Sequence, residues 1–213
     1  MRDQPSPRRI GKRETAERAG LCLDFANTLH WHASDRPRET LHRYEDFLGW
    51  AGALGVISRR QVNALARRAR REPQAAATVF RRATALREAV YGIFVARIAG
   101  TAPARDDVGV LNKELQRAVP QYCIEFGVDG PTWCPAAEGA EFDLPLWRIV
   151  QSAAELLLSE DLRDRVGQCA DPAGCGWLFL DVSKNRSRRW CSIRDCGNRA
   201  KQRRLQARRK RSR

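Results

Sequence analysis

Four of the seven cysteines fall within 28 residues, as Cys169-x5-Cys175-x15-Cys191-x4-Cys196. Thiolates are soft ligands. Two close pairs separated by ~15–20 residues make the arrangement of a tetrahedral zinc site. Four thiolates would leave no open coordination position, so the chemistry predicted is one structural Zn2+ and no catalysis at the metal. Gly174 and Gly176 flank Cys175 and would permit a turn with backbone N–H groups aimed at sulfur. The bland alternative is four unrelated buried cysteines. A third reading is a redox sensor, since clustered thiolates oxidise readily. Cys22, Cys123 and Cys134 are scattered through the rest of the chain.

The second group that could do chemistry is basic. The 213-residue chain carries a net charge of +14, but residues 1–183 hold 25 Lys/Arg against 24 Asp/Glu, while residues 184–213 hold 14 basic residues and one acid. Such local excess implies a polyanionic partner, nucleic acid before an acidic membrane surface. Arginine dominance favours bidentate contacts to phosphate or guanine. The candidate contacts are Arg188, Arg189, Asn198, Arg199, Lys201, Arg203, Arg204 and Arg208. A helix over 197–213 would have almost no apolar face, which argues against a membrane-surface helix. It would need the metal to anchor its first turn, and beyond about Gln206 it is expected to fray.

The elements that must position these groups follow from the spacing. Between the cysteine pairs, Leu178, Leu180 and Val182 alternate, and "SKNRS" supplies a turn, so a β-hairpin is predicted within "GWLFLDVSKNRSRRW". Cys196 would open the basic helix, where unpaired N–H groups favour a thiolate. Upstream, helical periodicity predicts helices from Leu41 to a stop at Gly55, from Ser58 to before Pro73, from about Gln74 to Ile98, over roughly 104–118, and within 143–159 with Pro145 in its first turn. Ser58 and Gln61 form a capping-box signature. "GLCLDFANTLHWH" at 20–32 reads as helix, with a strand as the competing reading. "QYCIEFGVDGPTWCP" reads as one or two short strands. The expected fold class is α+β: a predominantly helical N-terminal domain, then a small treble-clef-like zinc finger of knuckle, β-hairpin and basic helix. The expected division is a flexible basic arm over 1–14, a body over 15–165, the finger over 166–205 and a basic tail over 206–213.

Within the body, Asp24, Asn27 and Thr28 are polar residues in an apolar segment. They could line a small-ligand pocket, or they could bond to neighbouring backbone. His30 and His32 with Asp24 could suggest a metal site, but two histidines at i, i+2 on a helix point apart. Trp31, Trp50 and Trp147 read as core aromatics. No nucleophile elbow, P-loop or dinucleotide fingerprint is present, so an enzyme is disfavoured. No run of ~18 apolar residues suggests a membrane span, and the charged N-terminus lacks the apolar segment of a secretory signal. A cytoplasmic protein follows, and the Arg/Ala-rich, Lys-poor composition hints at a bacterium.

The segment "CADPAGCGWLFLDVSKNRSRRWCSIRDCGNRAKQRR", with Cys196-Gly197-Asn198-Arg199 near its end, resembles the CGNR zinc finger of bacterial proteins. "GLCLDFANTLHWH" and "RYEDFLGWAGALGV" resemble the ABATE domain that precedes this finger. The resemblance implies a stress-induced transcriptional regulator that binds DNA through the finger, placed in the cytoplasm on the nucleoid. The body would sense a small-molecule effector or form a homodimer. The alternatives are an RNA- or ribosome-binding protein, and a ligand-binding or enzymatic body for which the finger only sets location.

Overall fold

The computed structural model describes residues 20–128, 130–135 and 141–211. The basic arm expected over 1–14 lies outside these residues. Helical residues 20–26 form α1. There follow β1 (Leu29–His30), β2 (Arg38–Glu39), α2 (Tyr44–Ala53), α3 (Arg59–Arg71), α4 (Pro73–Ile98) and α5 (Arg105–Ala118). After a 3-10 turn come β3 (Tyr122–Gly127), β4 (Gly130–Pro135), α6 (Leu144–Leu158), α7 (Glu160–Arg163), β5 (Val166–Gln168) and β6 (Leu178–Leu180). A wide turn over Ile193–Gly197 leads into α8 (Asn198–Arg211). The strands make three separate antiparallel pairs, β1–β2, β3–β4 and β5–β6. The protein is therefore α+β with helices dominant.

The body core is built around α4. Its buried residues Ala76, Val79, Ala83, Leu86, Val90 and Ile93 recur at spacings of three and four, so one stripe faces inward over the length of the helix. Pro73 occupies the first turn, where its missing N–H costs nothing. α2 contributes Phe47 and Leu48, α6 contributes Leu146, Ile149, Val150 and Leu156, and Phe25 of α1 sits at 5.5 Å from the Phe47 ring. The Ser58–Gln61 capping box opens α3 as predicted, the Ser58 hydroxyl accepting from the Gln61 N–H and the Gln61 amide from the Ser58 N–H. Charge inside the body is paired. Arg87, almost wholly buried, makes a bidentate 2.7 Å contact with Glu39, and Arg82 contacts Glu114 at 2.6 Å.

Three expectations about local structure change. The helix read over 20–32 stops at residue 26, and the chain turns into β1. The predicted hairpin inside 177–190 is absent. β6 pairs instead with β5, upstream of the first cysteine, in the register Val166↔Leu180 and Gln168↔Leu178. Alternation identified the strand but not its partner. "SKNRS" does turn, with Arg186 at φ 49°, yet the returning chain makes no strand. Finally, α8 runs on through Arg211 instead of ending near Gln206. Arg, Gln, Lys, Ala and Leu are all good helix formers, which favours extension of a helix already started at the metal-anchored turn.

Candidate metal centre and nucleic-acid interface

The β5–β6 hairpin carries Cys169 and Cys175 in the loop at its tip, and the wide turn before α8 carries Cys196 with Cys191 just ahead of it. The loop is closed by the Cys169 N–H donating to the Trp177 carbonyl at 2.8 Å. The Ala170 N–H reaches across to the Arg189 carbonyl at 2.9 Å and so ties the first cysteine pair to the second. All four Sγ atoms lie within 4.8 Å of one another. Cys175 Sγ is 3.7 Å from Cys191 Sγ, and Cys191 Sγ is 3.5 Å from Cys196 Sγ. Thiolates about 2.3 Å from a central ion at tetrahedral angles stand about 3.8 Å apart. The four cysteines fit one structural Zn2+.

Without a cation, four thiols this close cannot all ionise. A hydrogen bond from Cys191 pulls the Cys175 thiol down, against the opposing desolvation and with help from the Trp177 N–H. Cys191 moves up because it donates to Cys175, and burial raises Cys196. A divalent ion removes this conflict by replacing the protons, so metal binding and folding of this module are one process.

An outer layer holds the ligands in place. Asp171, whose side chain is 0% exposed, accepts from Arg199 Nε at 2.9 Å, Arg203 Nη1 at 3.2 Å and the Ala173 N–H at 3.0 Å. Burial alone would raise its carboxyl; the Ala173 N–H and the Arg199 guanidinium outweigh this and hold it below the ordinary carboxylate range. Arg199 Nη2 also donates to Cys196 Sγ at 2.9 Å, and its guanidinium lies over the Trp31 ring at 4.8 Å. Contacts of this kind orient thiolate ligands and offset their charge. Asn198 Nδ2 donates back to the Arg194 carbonyl at 2.7 Å and closes the wide turn that leads into α8. In the Cys196-Gly197-Asn198-Arg199 run, ligand, turn closure and guanidinium brace thus come from neighbouring positions.

The finger is docked on the body. Asn27 uses its amide as a strand edge: Oδ1 accepts the Leu178 N–H and Nδ2 donates to the Leu178 carbonyl, each at 2.8 Å. Tyr91 of α4 donates to the Gly176 carbonyl at 3.2 Å and accepts from Gln168 at 2.8 Å, while His32 stacks on the Tyr91 ring and pairs with Glu88. Gly174 and Gly176 adopt φ +82° and +65°, and a Cβ on either would stand under 3.0 Å from Ser34 or Ala33 of the body. These glycines allow both the loop's left-handed backbone and its close approach to the body.

The residues singled out from the sequence therefore separate. Cys169, Cys175, Cys191 and Cys196 come together. Asp24, Asn27 and Thr28 do not converge: Asp24 is exposed, Asn27 holds Leu178, and the Thr28 hydroxyl donates to the Phe25 carbonyl at 2.7 Å. Asn27 and Thr28 bond to backbone, one across the domain junction and one locally. Trp147 is buried in the core and Trp50 packs on it, but Trp31 packs against the zinc cluster, with a left-handed φ of 57°. His30 and His32 stand on no common helix; His30 meets Trp177 and His32 meets Glu88.

Three of the predicted nucleic-acid contacts are engaged internally: Arg188, Arg199 and Asn198, which holds the Arg194 carbonyl. Arg188 lies over Phe179 and donates to the carbonyls of Leu180, Trp190 and Cys191. Arg199 is taken up by Asp171, Cys196 and Trp31. Arg203 keeps one contact to Asp171 with its side chain 45% exposed, and Arg189 lies over Trp190. Lys201, Arg204 and Arg208 are exposed along α8. The structure adds Arg194, Asp195, Gln202 and Gln206, which were not among the predicted contacts. Arg194, Asp195, Asn198, Arg199, Gln202, Arg203 and Gln206 line one open groove of about 530 Å³ along a single helical face. The spacing of Asn198, Gln202 and Gln206 at i, i+4, i+8 was the available signal. Asp171 was missed as well; its only mark was an acid two residues past Cys169.

A mainly helical body with a four-thiolate zinc module launching a basic helix defines a zinc-finger protein with a metal-anchored, strongly basic surface. Residues 19–160 match the ABATE family model, described as "Putative stress-induced transcription regulator", and residues 165–209 match the CGNR zinc finger. The chain belongs to the ABATE family and carries a CGNR zinc finger. No curated protein matches the chain at a significant level. Neither family description names an enzyme, and among the described residues no helix is long and apolar enough to cross a membrane.

Proposed function

We propose that the protein is a DNA-binding transcriptional regulator, acting in the cytoplasm on the nucleoid, in which α8 is the reading element. The observation that carries this is the polar face of α8. It presents Gln202, Arg203 and Gln206 in one groove with Arg194 of the preceding turn, and Lys201, Arg204 and Arg208 are exposed on the same helix. Arg and Lys supply phosphate contacts, while Gln and Asn amides suit adenine edges and Arg suits guanine. A 14-residue helix is about 21 Å long, and a major groove admits one. Arg188, Arg199 and Asn198 serve chiefly to hold the helix in position. The body, about residues 15–165, is the regulatory part, and the finger, about 166–205, the contact part.

Genome-wide footprinting of the full chain tests this reading. Gln202→Ala with Gln206→Ala is expected to erase site preference while keeping general DNA affinity. Lys201→Ala with Arg204→Ala is expected to weaken binding across all sequences. Structured RNA outcompeting duplex DNA for the wild-type chain would replace this reading with the RNA-binding one.

A further inference from the structure

Cys123 and Cys134 lie on different strands and stand directly opposite in the β3–β4 register. Opposed residues of an antiparallel pair stand about 4.5–5.5 Å apart at Cα and point to one side of the sheet. Glu125 lies two residues beyond Cys123 on the same strand, so its side chain leaves the same face. The two Sγ atoms and a Glu125 carboxylate oxygen lie within 4.8 Å of one another. Among the described residues, the four finger cysteines are the only other group with such convergence. Neither cysteine is in a disulfide, Cys123 is exposed and Cys134 half-buried, and the Cys123 thiol donates to the Cys134 carbonyl at 3.4 Å. A two-stranded ladder thus presents two sulfurs and one oxygen to solvent from fixed positions.

We propose that this face of the hairpin is a second metal site, taking a thiophilic divalent cation of the Zn2+ type. Two thiolates and a carboxylate are a donor set for a borderline-soft ion. Ca2+ and Mg2+ require all-oxygen shells and are excluded by the same chemistry. Three protein ligands leave a fourth position for water or an outside donor. The site is exposed and has one ligand fewer than the finger, so its ion exchanges while the finger's does not. It belongs to the body, whose Tyr122 packs against the main core beside Cys123.

Zn2+ titration of the full-length protein against a chromophoric chelator, under a phosphine reductant, tests the site. Two equivalents per chain are expected, one tight and one weaker. Cys123→Ser with Cys134→Ser should remove the weaker equivalent and leave the tight one. Glu125→Gln, which keeps the side chain's length and removes its charge, should weaken the second equivalent about tenfold or more. A single equivalent in the reduced wild-type chain, or a second equivalent kept by the double serine variant, overturns the proposal. DNA binding is not read in this titration, so its result is separate from that of the footprinting.

Discussion

The body buries Phe25, Phe47, Leu86, Phe94, Ile149 and Leu156 in one continuous core, whereas the finger's own cluster of buried residues is Cys169, Cys175 and Cys196 with Trp31, Trp177, Trp190 and Cys191 packed around them. Cationic groups differ in the same way. In the body, Arg82 and Arg87 are matched by Glu114 and Glu39. In the finger, Arg199 and Arg203 share Asp171, and from Lys201 to Arg208 every residue of α8 is exposed. The body is held by burial, and the finger by a metal and one carboxylate. The finger can therefore leave the outer face of α8 to solvent without unfolding, because the metal, the Asp171 ion pairs and the buried Ala200 fix the start of that helix.

The largest way to break this contrast is to remove the metal. Chelation, or Cys175→Ser or Cys196→Ser, should unfold the finger, since structural zinc supplies on the order of 10 kcal/mol to modules of this size. Circular dichroism and calorimetry should show α8 lost while the body keeps a cooperative transition. Simultaneous loss of both transitions would show that the body depends on the finger.

Next in size is Asp171→Asn. It leaves two guanidiniums without their anion and should cost the finger about 1–3 kcal/mol, read as easier zinc loss to a chelator. Because the folded-state pKa of Asp171 is depressed, its contribution is fully present above the unfolded value of about 3.9 and disappears as pH falls through the folded value. Acid should therefore narrow the difference between wild type and Asp171→Asn. A difference that grows on acidification would reverse the sign of this account.

Asn27→Ala tests the junction. It removes two hydrogen bonds to Leu178 and should cost about 1–2 kcal/mol, separating a finger transition from the body transition in a thermal scan. Smallest in stability is Lys201→Ala with Arg204→Ala, expected within about 0.5 kcal/mol of wild type because both side chains are exposed. Their effect should appear in binding alone.

What the sequence could reveal divides along physical lines. The zinc ligands were legible because metal geometry constrains spacing, and α4 was legible because burial imposes a 3.6-residue period. The Ser58–Gln61 box was legible because it is local. The partner of Leu178–Leu180 was not, since alternation marks a strand without naming its neighbour. The roles of Arg188 and Arg199 were also hidden. A cation's type and position say nothing about whether an anion has already claimed it, as Asp171 claims Arg199 from 28 residues earlier. Asn27 was hidden for a similar reason: its partner, Leu178, lies 151 residues away.

If exposed cations of α8, launched from the zinc centre, meet nucleic acid as proposed, binding must weaken steeply with salt. Affinity of the full chain for duplex DNA, measured across a range of salt, should give log K falling against log salt with a slope near −5 if about six phosphates are neutralised. Lys201→Ala with Arg204→Ala should make that slope shallower by about one for each phosphate no longer neutralised. A slope near zero for the wild-type chain, or one unchanged by the double substitution, would rule out electrostatic binding through α8.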